Sequence, residues 1–259
     1  MPRFAANLSM MFTEHPFLDR FAAASEAGFT AVEFLFPYDH TPEAVGDALR
    51  RNGLTQALFN LPPGDFALGE RGLAALPARA DELAAGVDTA LRYTAATGCK
   101  TLHLMAGNAS RENTSAVAAY RAGVRMVAER LAPKGITLVI EPINGRDMPA
   151  YFLNDFAWAA ALITELKLPN LKLQFDIYHR QIMHGDVTKA LEAMMPLIAH
   201  VQIAGVPDRH EPDSGELDAA YVFAALDRLG YDGFVGCEYR PAGDTVAGLG
   251  WFAPWRGRA

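Results

Sequence analysis

Four stretches of this chain carry side chains that could hold a divalent cation or move a proton. Ile136-Thr-Leu-Val-Ile-Glu141 is an apolar, β-branched run closed by a carboxylate. Leu171-Lys-Leu-Gln-Phe-Asp176 closes on Asp176, His200-Val-Gln-Ile-Ala204 carries Gln202, and Phe234-Val-Gly-Cys-Glu238 closes on Glu238. Short apolar runs bounded by turn signals read as buried strands of a parallel sheet. If that sheet closes into a barrel, the C-terminal ends of its strands share one mouth. Three carboxylates gathered there would repel one another and resist ionising together. A divalent cation removes that cost. An all-oxygen set, completed by the Gln202 carbonyl, suits Mg²⁺ or Mn²⁺ better than zinc. Each residue alone reads more readily as a salt-bridge or hydrogen-bonding partner; the repetition at successive strand ends is what points to a site.

Other side chains are candidates for substrate contact. His179, three residues past Asp176, could reach a substrate oxygen or donate to a carboxylate, or be a plain loop histidine. Arg209, in Pro207-Asp-Arg-His-Glu-Pro212, could grip a carboxylate bidentately or be a solvated loop charge. Glu70 and its neighbour Arg71 carry the same two readings, as a substrate-binding group or a loop charge. His103 reads as a hydrogen-bonded histidine inside a strand, and Glu33 as a group that could face the mouth. His184 and His210 read as structural or surface residues.

The elements that must position these groups alternate along the chain. Strands are predicted over 4–9, 31–36, 54–59, 100–105, 136–141, 171–176, 199–204 and 234–238. Helices are predicted over 16–27, 41–53, 76–97, 113–131, 154–166, 186–196 and 218–229, with Asn154 as the cap of one and a short last helix within 243–255. Thr41-Pro42 is a helix start and Gly28, Gly53 and Gly98 are stops. Eight strand–helix cycles in 259 residues predict one (β/α)₈ TIM-barrel domain over 1–259. A doubly wound open sheet is the rival, but no Gly-rich phosphate fingerprint follows the first strand. Residues 60–72 form the longest irregular stretch, and their apolar content predicts a loop folded over a site.

Composition narrows the chemistry. The formal net charge is −7, with no dense Lys/Arg run, which disfavours nucleic acid and suits a small polar substrate or a cation. No apolar run approaches a membrane span, and the N-terminus lacks a signal-peptide pattern. The expectation is a cytoplasmic protein. Cys99 and Cys237 are expected to be free and buried. The aromatic cluster Trp251, Phe252 and Trp255 is expected to pack on the barrel or on a subunit neighbour, so a homo-oligomer is permitted.

Taken together, Phe4-Ala-Ala-Asn-Leu-Ser-Met10, Val32-Glu-Phe-Leu-Phe-Pro-Tyr38, Ile140-Glu-Pro-Ile-Asn144, Phe175-Asp-Ile-Tyr-His179, His210-Glu-Pro-Asp-Ser-Gly-Glu216 and Gly236-Cys-Glu-Tyr239 resemble the hydroxypyruvate isomerase family of xylose-isomerase-like barrels. The resemblance runs from Pro2 to the Trp255 region. It implies Glu141 and Glu238 as paired catalytic glutamates, and Glu141, Asp176, Gln202 and Glu238 as metal ligands. It implies substrate contact by His179 and Arg209. Many related sugar isomerases and epimerases have His at the third ligand position; Gln202 agrees with this family's own branch. The implied reaction moves a carbonyl along a small hydroxy-carbonyl acid through an enediolate. Two substrates compete. Ile140-Glu-Pro-Ile-Asn144 looks like hydroxypyruvate isomerases. The opening 14 residues, Ile203-Ala-Gly-Val-Pro-Asp-Arg-His-Glu-Pro212 and Gly248-Leu-Gly-Trp-Phe252 look more like 2-oxo-tetronate isomerases. Hydroxypyruvate isomerases often carry an acidic residue where Gly205 stands. The balance favours the oxo-tetronate branch. The rivals are an epimerase on the same barrel, a phosphodiesterase of the endonuclease IV kind, and a non-catalytic sugar-acid binding protein. The phosphodiesterase needs more histidine ligands and a basic face than this chain offers.

Overall fold

A computed structural model describes residues 2–256. Its elements run β1 (Arg3–Asn7), α1 (Arg20–Glu26), β2 (Ala31–Phe34), α2 (Pro42–Arg51), β3 (Thr55–Asn60), α3 (Ala80–Thr97), β4 (Thr101–His103), α4 (Thr114–Leu131), β5 (Thr137–Ile140), α5 (Phe156–Leu166), β6 (Leu171–Asp176), α6 (Ile177–His184), α7 (Val187–Met194), β7 (Ile198–Ile203), α8 (Ala219–Arg228) and β8 (Phe234–Cys237). All strands pair in parallel, each with its sequence neighbours, and β8 returns to β1 to close the barrel. This is the expected TIM barrel, and the open sheet is excluded.

Local chemistry explains most boundaries. Thr41 caps α2 by accepting from the Ala44 amide at 3.2 Å, with Pro42 at the first helical position. Gly98 ends α3 in the left-handed region. Asn113 accepts from the amides of Ser115 and Ala116 at the start of α4.

Two expectations need correction. The cap of α5 is Asp155, whose carboxylate accepts from the Trp158 amide at 3.0 Å, while Asn154 is exposed. Adjacent Asn and Asp are both good capping types, so the sequence alone could not separate them. The stretch after Asp176 is helical as α6, not a loop, and His179 therefore stands on a helix. After β8 the expected short last helix is present as a 3₁₀ helix over Leu249–Trp255.

The main core lies between the strands and the helical ring. At the opening of the chain Phe4 meets Phe223, Trp251 and Trp255 edge-on at 5.0, 5.2 and 5.4 Å. Phe252 stacks on Phe29 at 4.1 Å. The aromatic tail thus closes over its own barrel. Inside, small Ala5, Ala31 and Ala57 leave room for larger neighbours. Cys99 and Cys237 are free and buried, and burial pushes the Cys99 thiol up to about 12. No helix among the described residues is long and apolar enough to cross a membrane.

The cap assignment predicts that Asp155→Ala lowers stability by about 1 kcal/mol, whereas Asn154→Ala stays within about 0.5 kcal/mol of wild type. Urea midpoints of the two variants check this, and equal losses would show that the cap is shared.

Candidate active site

The carboxylates arrive as strand ends require. Glu141 follows the last residue of β5, Asp176 ends β6, and Glu238 follows the last residue of β8. Asp176 is doubly used. One oxygen caps α6 through the Tyr178 amide at 2.7 Å, and the other has no hydrogen-bond partner. The same cap starts the helix that carries His179 back over the mouth. One atom each from Glu141, Asp176, His179 and Glu238 lies within 4.8 Å of the others, and all four residues are buried. Glu141, His179 and Glu238 border a cavity of about 650 Å³, whose wall also includes Arg209, His103 and Arg71.

Arg209 reaches in from the loop between β7 and α8, with its backbone in the left-handed region at φ 60°. Its Nη2 lies 2.5 Å from Glu238 Oε2 and 3.6 Å from Asp176 Oδ2, and its Nη1 lies 3.4 Å from Asp147 Oδ2. The guanidinium also stacks 4.8 Å above the Tyr178 ring. Burial pushes Glu238 up to about 8 and Asp176 up to about 6, each against the pull of Arg209. Burial, followed by the charges of Glu238 and Asp176, holds Glu141 well above the usual carboxylate range.

The tautomer of His179 follows from its neighbour. Asn144 Oδ1 accepts from the amides of Arg146 and Asp147, both at 2.9 Å, which turns its NH₂ toward His179 Nδ1 at 2.6 Å. Nδ1 is thus an acceptor and Nε2 carries the proton. Burial, then Arg209, depresses the imidazole well below its ordinary value, so the ring is neutral. Its Nε2–H stands 3.5 Å from Asp176 Oδ2 and 3.8 Å from Glu141 Oε1. A protonated Nε2 has no lone pair for a metal; it is a donor.

Gln202 and Glu70 stand apart from the cavity wall. Gln202 is fully buried; its Nε2 donates to Glu33 Oε1 at 2.8 Å and its Oε1 accepts from Gln174 Nε2 at 2.6 Å. Glu33 lies in the barrel interior, where it also accepts from Asn7 Nδ2 at 2.9 Å and His200 Nε2 at 2.6 Å. Glu70 turns to Arg79 at 2.7 Å and to the Asp65 amide at 2.6 Å. Its neighbour Arg71 faces the cavity instead. His103 also faces the cavity, with Nδ1 3.3 Å from Asn60 Oδ1 and Nε2, which makes no hydrogen bond, 3.7 Å from Glu141 Oε2. His184 lies edge-on to Phe156, and His210 Nδ1 donates to the Arg240 carbonyl at 2.8 Å. Asn144, Asp147 and Gln174 were not singled out in the sequence. Asn144 closes the motif Ile140-Glu-Pro-Ile-Asn144, which was the available signal.

These groups fit a hard divalent cation. Glu141 Oε1 and Asp176 Oδ2 are buried without hydrogen-bond partners, and the nearby carboxylates outnumber the single guanidinium. Such a set is oxygen-rich and short of positive charge.

The chain matches the family described as xylose isomerase-like TIM barrel over residues 21–255. It is 54% identical to the 2-oxo-tetronate isomerase of Cupriavidus necator over the full length of both chains. It is 43% identical to the hydroxypyruvate isomerase of Escherichia coli over 99% of this chain and 100% of that one. The chain belongs to the hydroxypyruvate isomerase family. A crystal structure from Brucella melitensis, of a protein called AP endonuclease, family 2, is 51% identical and matches 99% of this chain and 100% of that one with a TM-score of 0.97. As a member of the hydroxypyruvate isomerase family, the protein is an isomerase.

The raised carboxylates give the family member a testable pH response once divalent ions are stripped by a chelator. Glu238 and Asp176 then hold protons in the folded state that the unfolded chain has released, between the ordinary carboxylate range and about 8. Stability is expected to fall as pH rises through that interval, and Glu238→Gln should flatten the slope. Urea midpoints against pH read this out; a rising midpoint would mean that Arg209 outweighs burial.

Proposed function

We propose that the protein interconverts 2-dehydrotetronate and 3-dehydrotetronate, with hydroxypyruvate and tartronate semialdehyde as a poorer pair handled by the same groups. The observation that carries the reading is that Glu141 and Glu238, from strands three apart in the ring, both border one cavity while their carboxyls stand close together. One glutamate removes the proton from C3. An enediolate then spans C2 and C3, and the other glutamate returns a proton to C2 as the hydroxyl proton passes between the two oxygens. Which glutamate acts as base depends on direction. Without a bound cation, burial brings the Glu238 carboxyl up to about 8; a cation held there would pull it back down and favour the ionised base. The Nε2–H of His179 donates to a substrate oxygen. Phe66, from the loop between β3 and α3, borders the cavity and helps exclude water from the enediolate.

Glu141, Asp176 and Glu238 would hold a Mg²⁺ or Mn²⁺ ion, with Gln202 as a further oxygen donor, and the bound ion would polarise the carbonyl and offset the enediolate charge. Gln202 Oε1 accepts one hydrogen bond and keeps a second lone pair for this.

Two observations support the four-carbon substrate. The 54% relative is named 2-oxo-tetronate isomerase. A Cβ at Gly205 would stand 2.5 Å from the Glu211 carbonyl oxygen, so this loop has no place for the acidic residue common in hydroxypyruvate isomerases. A cytoplasmic setting, where two buried thiols stay reduced, belongs to the same reading.

Proton NMR of the purified protein with each acid, in H₂O and D₂O, with Mg²⁺ or Mn²⁺ and with chelator, tests it. The expected result is metal-dependent formation of 3-dehydrotetronate, faster than turnover of hydroxypyruvate. Glu141→Gln and Glu238→Gln are each expected to lower kcat by about 10²- to 10⁴-fold, with metal content measured alongside. Near-normal turnover in either metal-loaded variant would sink the paired role.

A further inference from the structure

The cavity that receives the substrate is acidic. Glu14, Glu141, Asp147 and Glu238 border it, against the arginines Arg71, Arg209 and Arg240. A hydroxy-carbonyl acid must bring its own carboxylate into this space. Arg209 is the arginine nearest the reacting groups, but Glu238, Asp176 and Asp147 already surround its guanidinium. A further anion beside it would add to three that are there. Arg240 is exposed at the rim, where water weakens its pull.

Arg71 differs from both. Its Nη1 donates to the carbonyls of Phe66 at 3.0 Å and Glu70 at 2.8 Å, and its guanidinium lies 4.0 Å over the Phe66 ring. No carboxylate pairs with it among the described residues, and its Nε and Nη2 have no hydrogen-bond partner there. Those two nitrogens make the fork that matches a carboxylate. The residue is also held in place. Its carbonyl accepts from the Gly107 amide at 3.0 Å, and Gly72 bridges to Ala106, just past the end of β4. Gly72 has φ 109°, and a Cβ there would overlap the Met105 carbonyl, so glycine alone fits this close approach. Glu70, next in the chain, is drawn away by Arg79 and leaves the Arg71 charge unneutralised.

We propose that Arg71 binds the substrate carboxylate through Nε and Nη2, while Arg209 serves as the counter-ion of the carboxylate cluster. This rests on the reading of the substrate as a small hydroxy-carbonyl acid. Arg71 thereby makes the site selective for acids over the matching polyols and ketoses, and it fixes which end of the substrate faces the loop.

Calorimetry with the Mn²⁺-loaded full chain tests this with two unreactive probes, D-erythronate and erythritol, which differ in carboxylate against hydroxymethyl. Wild type is expected to prefer erythronate. Arg71→Met should weaken erythronate binding by about 10- to 100-fold and leave erythritol binding within about twofold. Arg71→Lys, which keeps the charge without the fork, should fall between, and Arg240→Met should stay near wild type. In turnover assays the Arg71→Met loss should appear in KM more than in kcat. Unchanged erythronate binding in Arg71→Met overturns the assignment. So does an equal loss of both probes, which would mean that the loop had only collapsed, or a loss in Arg240→Met in its place. If wild type isomerises neither acid but still separates the probes through Arg71, the proposed reaction is wrong and the carboxylate site stands.

Discussion

Everything at the mouth of this barrel follows from one electrostatic constraint. Closure of the strands brings Glu141, Asp176 and Glu238 together below the surface, where charges interact strongly and water screens them weakly. A buried carboxylate without a partner is costly, so the surrounding residues are chosen to limit that cost. Arg209 supplies one positive charge among them. The amide of Tyr178 occupies one oxygen of Asp176. Asn144 turns the proton of His179 toward the cluster. What remains is a deficit of positive charge and two carboxylate oxygens without hydrogen-bond partners, an arrangement into which a divalent cation would fit.

The same constraint explains why the loops are tied down. A counter-ion helps only if it is held near the charges it offsets. Arg209 adopts a left-handed backbone conformation unfavourable for its type, and its amide and carbonyl are both tied, to Gly205 and to Arg240. The loop after β3 is likewise stitched to the residues after β4. Precise placement of charge by short tethers is worth more here than mobility, because a guanidinium displaced by an ångström leaves a carboxylate exposed to its like-charged neighbours.

How much of this was legible in the sequence depended on whether the information was local. The strand ends were legible, since an apolar run that stops on a carboxylate is a local pattern, and closure of the barrel then brought Glu141, Asp176 and Glu238 together. Helix α6 was not, because its cap is itself a site residue and only one short helix of Ile177–His184 separates it from the next turn. Glu70 and Arg71 could not be told apart, since adjacent loop residues point where the glycines at 69 and 72 send the chain. The partners of Arg209 lie 29, 33 and 62 residues away, at Glu238, Asp176 and Asp147. Contacts across the barrel leave no spacing to read.

Gln202 shows how far the constraint reaches. It faces Glu33, which is fully buried and already accepts from Asn7 and His200. A carboxylate at 202 would set a further negative charge directly against Glu33. A hydroxyl is too short to span to a second partner. An amide carries a donor and an acceptor on one carbon, so Gln202 gives its NH₂ to Glu33 and presents its oxygen to Gln174. Because Glu33 can only accept, the amide cannot flip without placing oxygen against oxygen. The orientation of that oxygen is therefore set from below by a buried glutamate, and the charge of the interior layer decides what the layer above can offer to a cation.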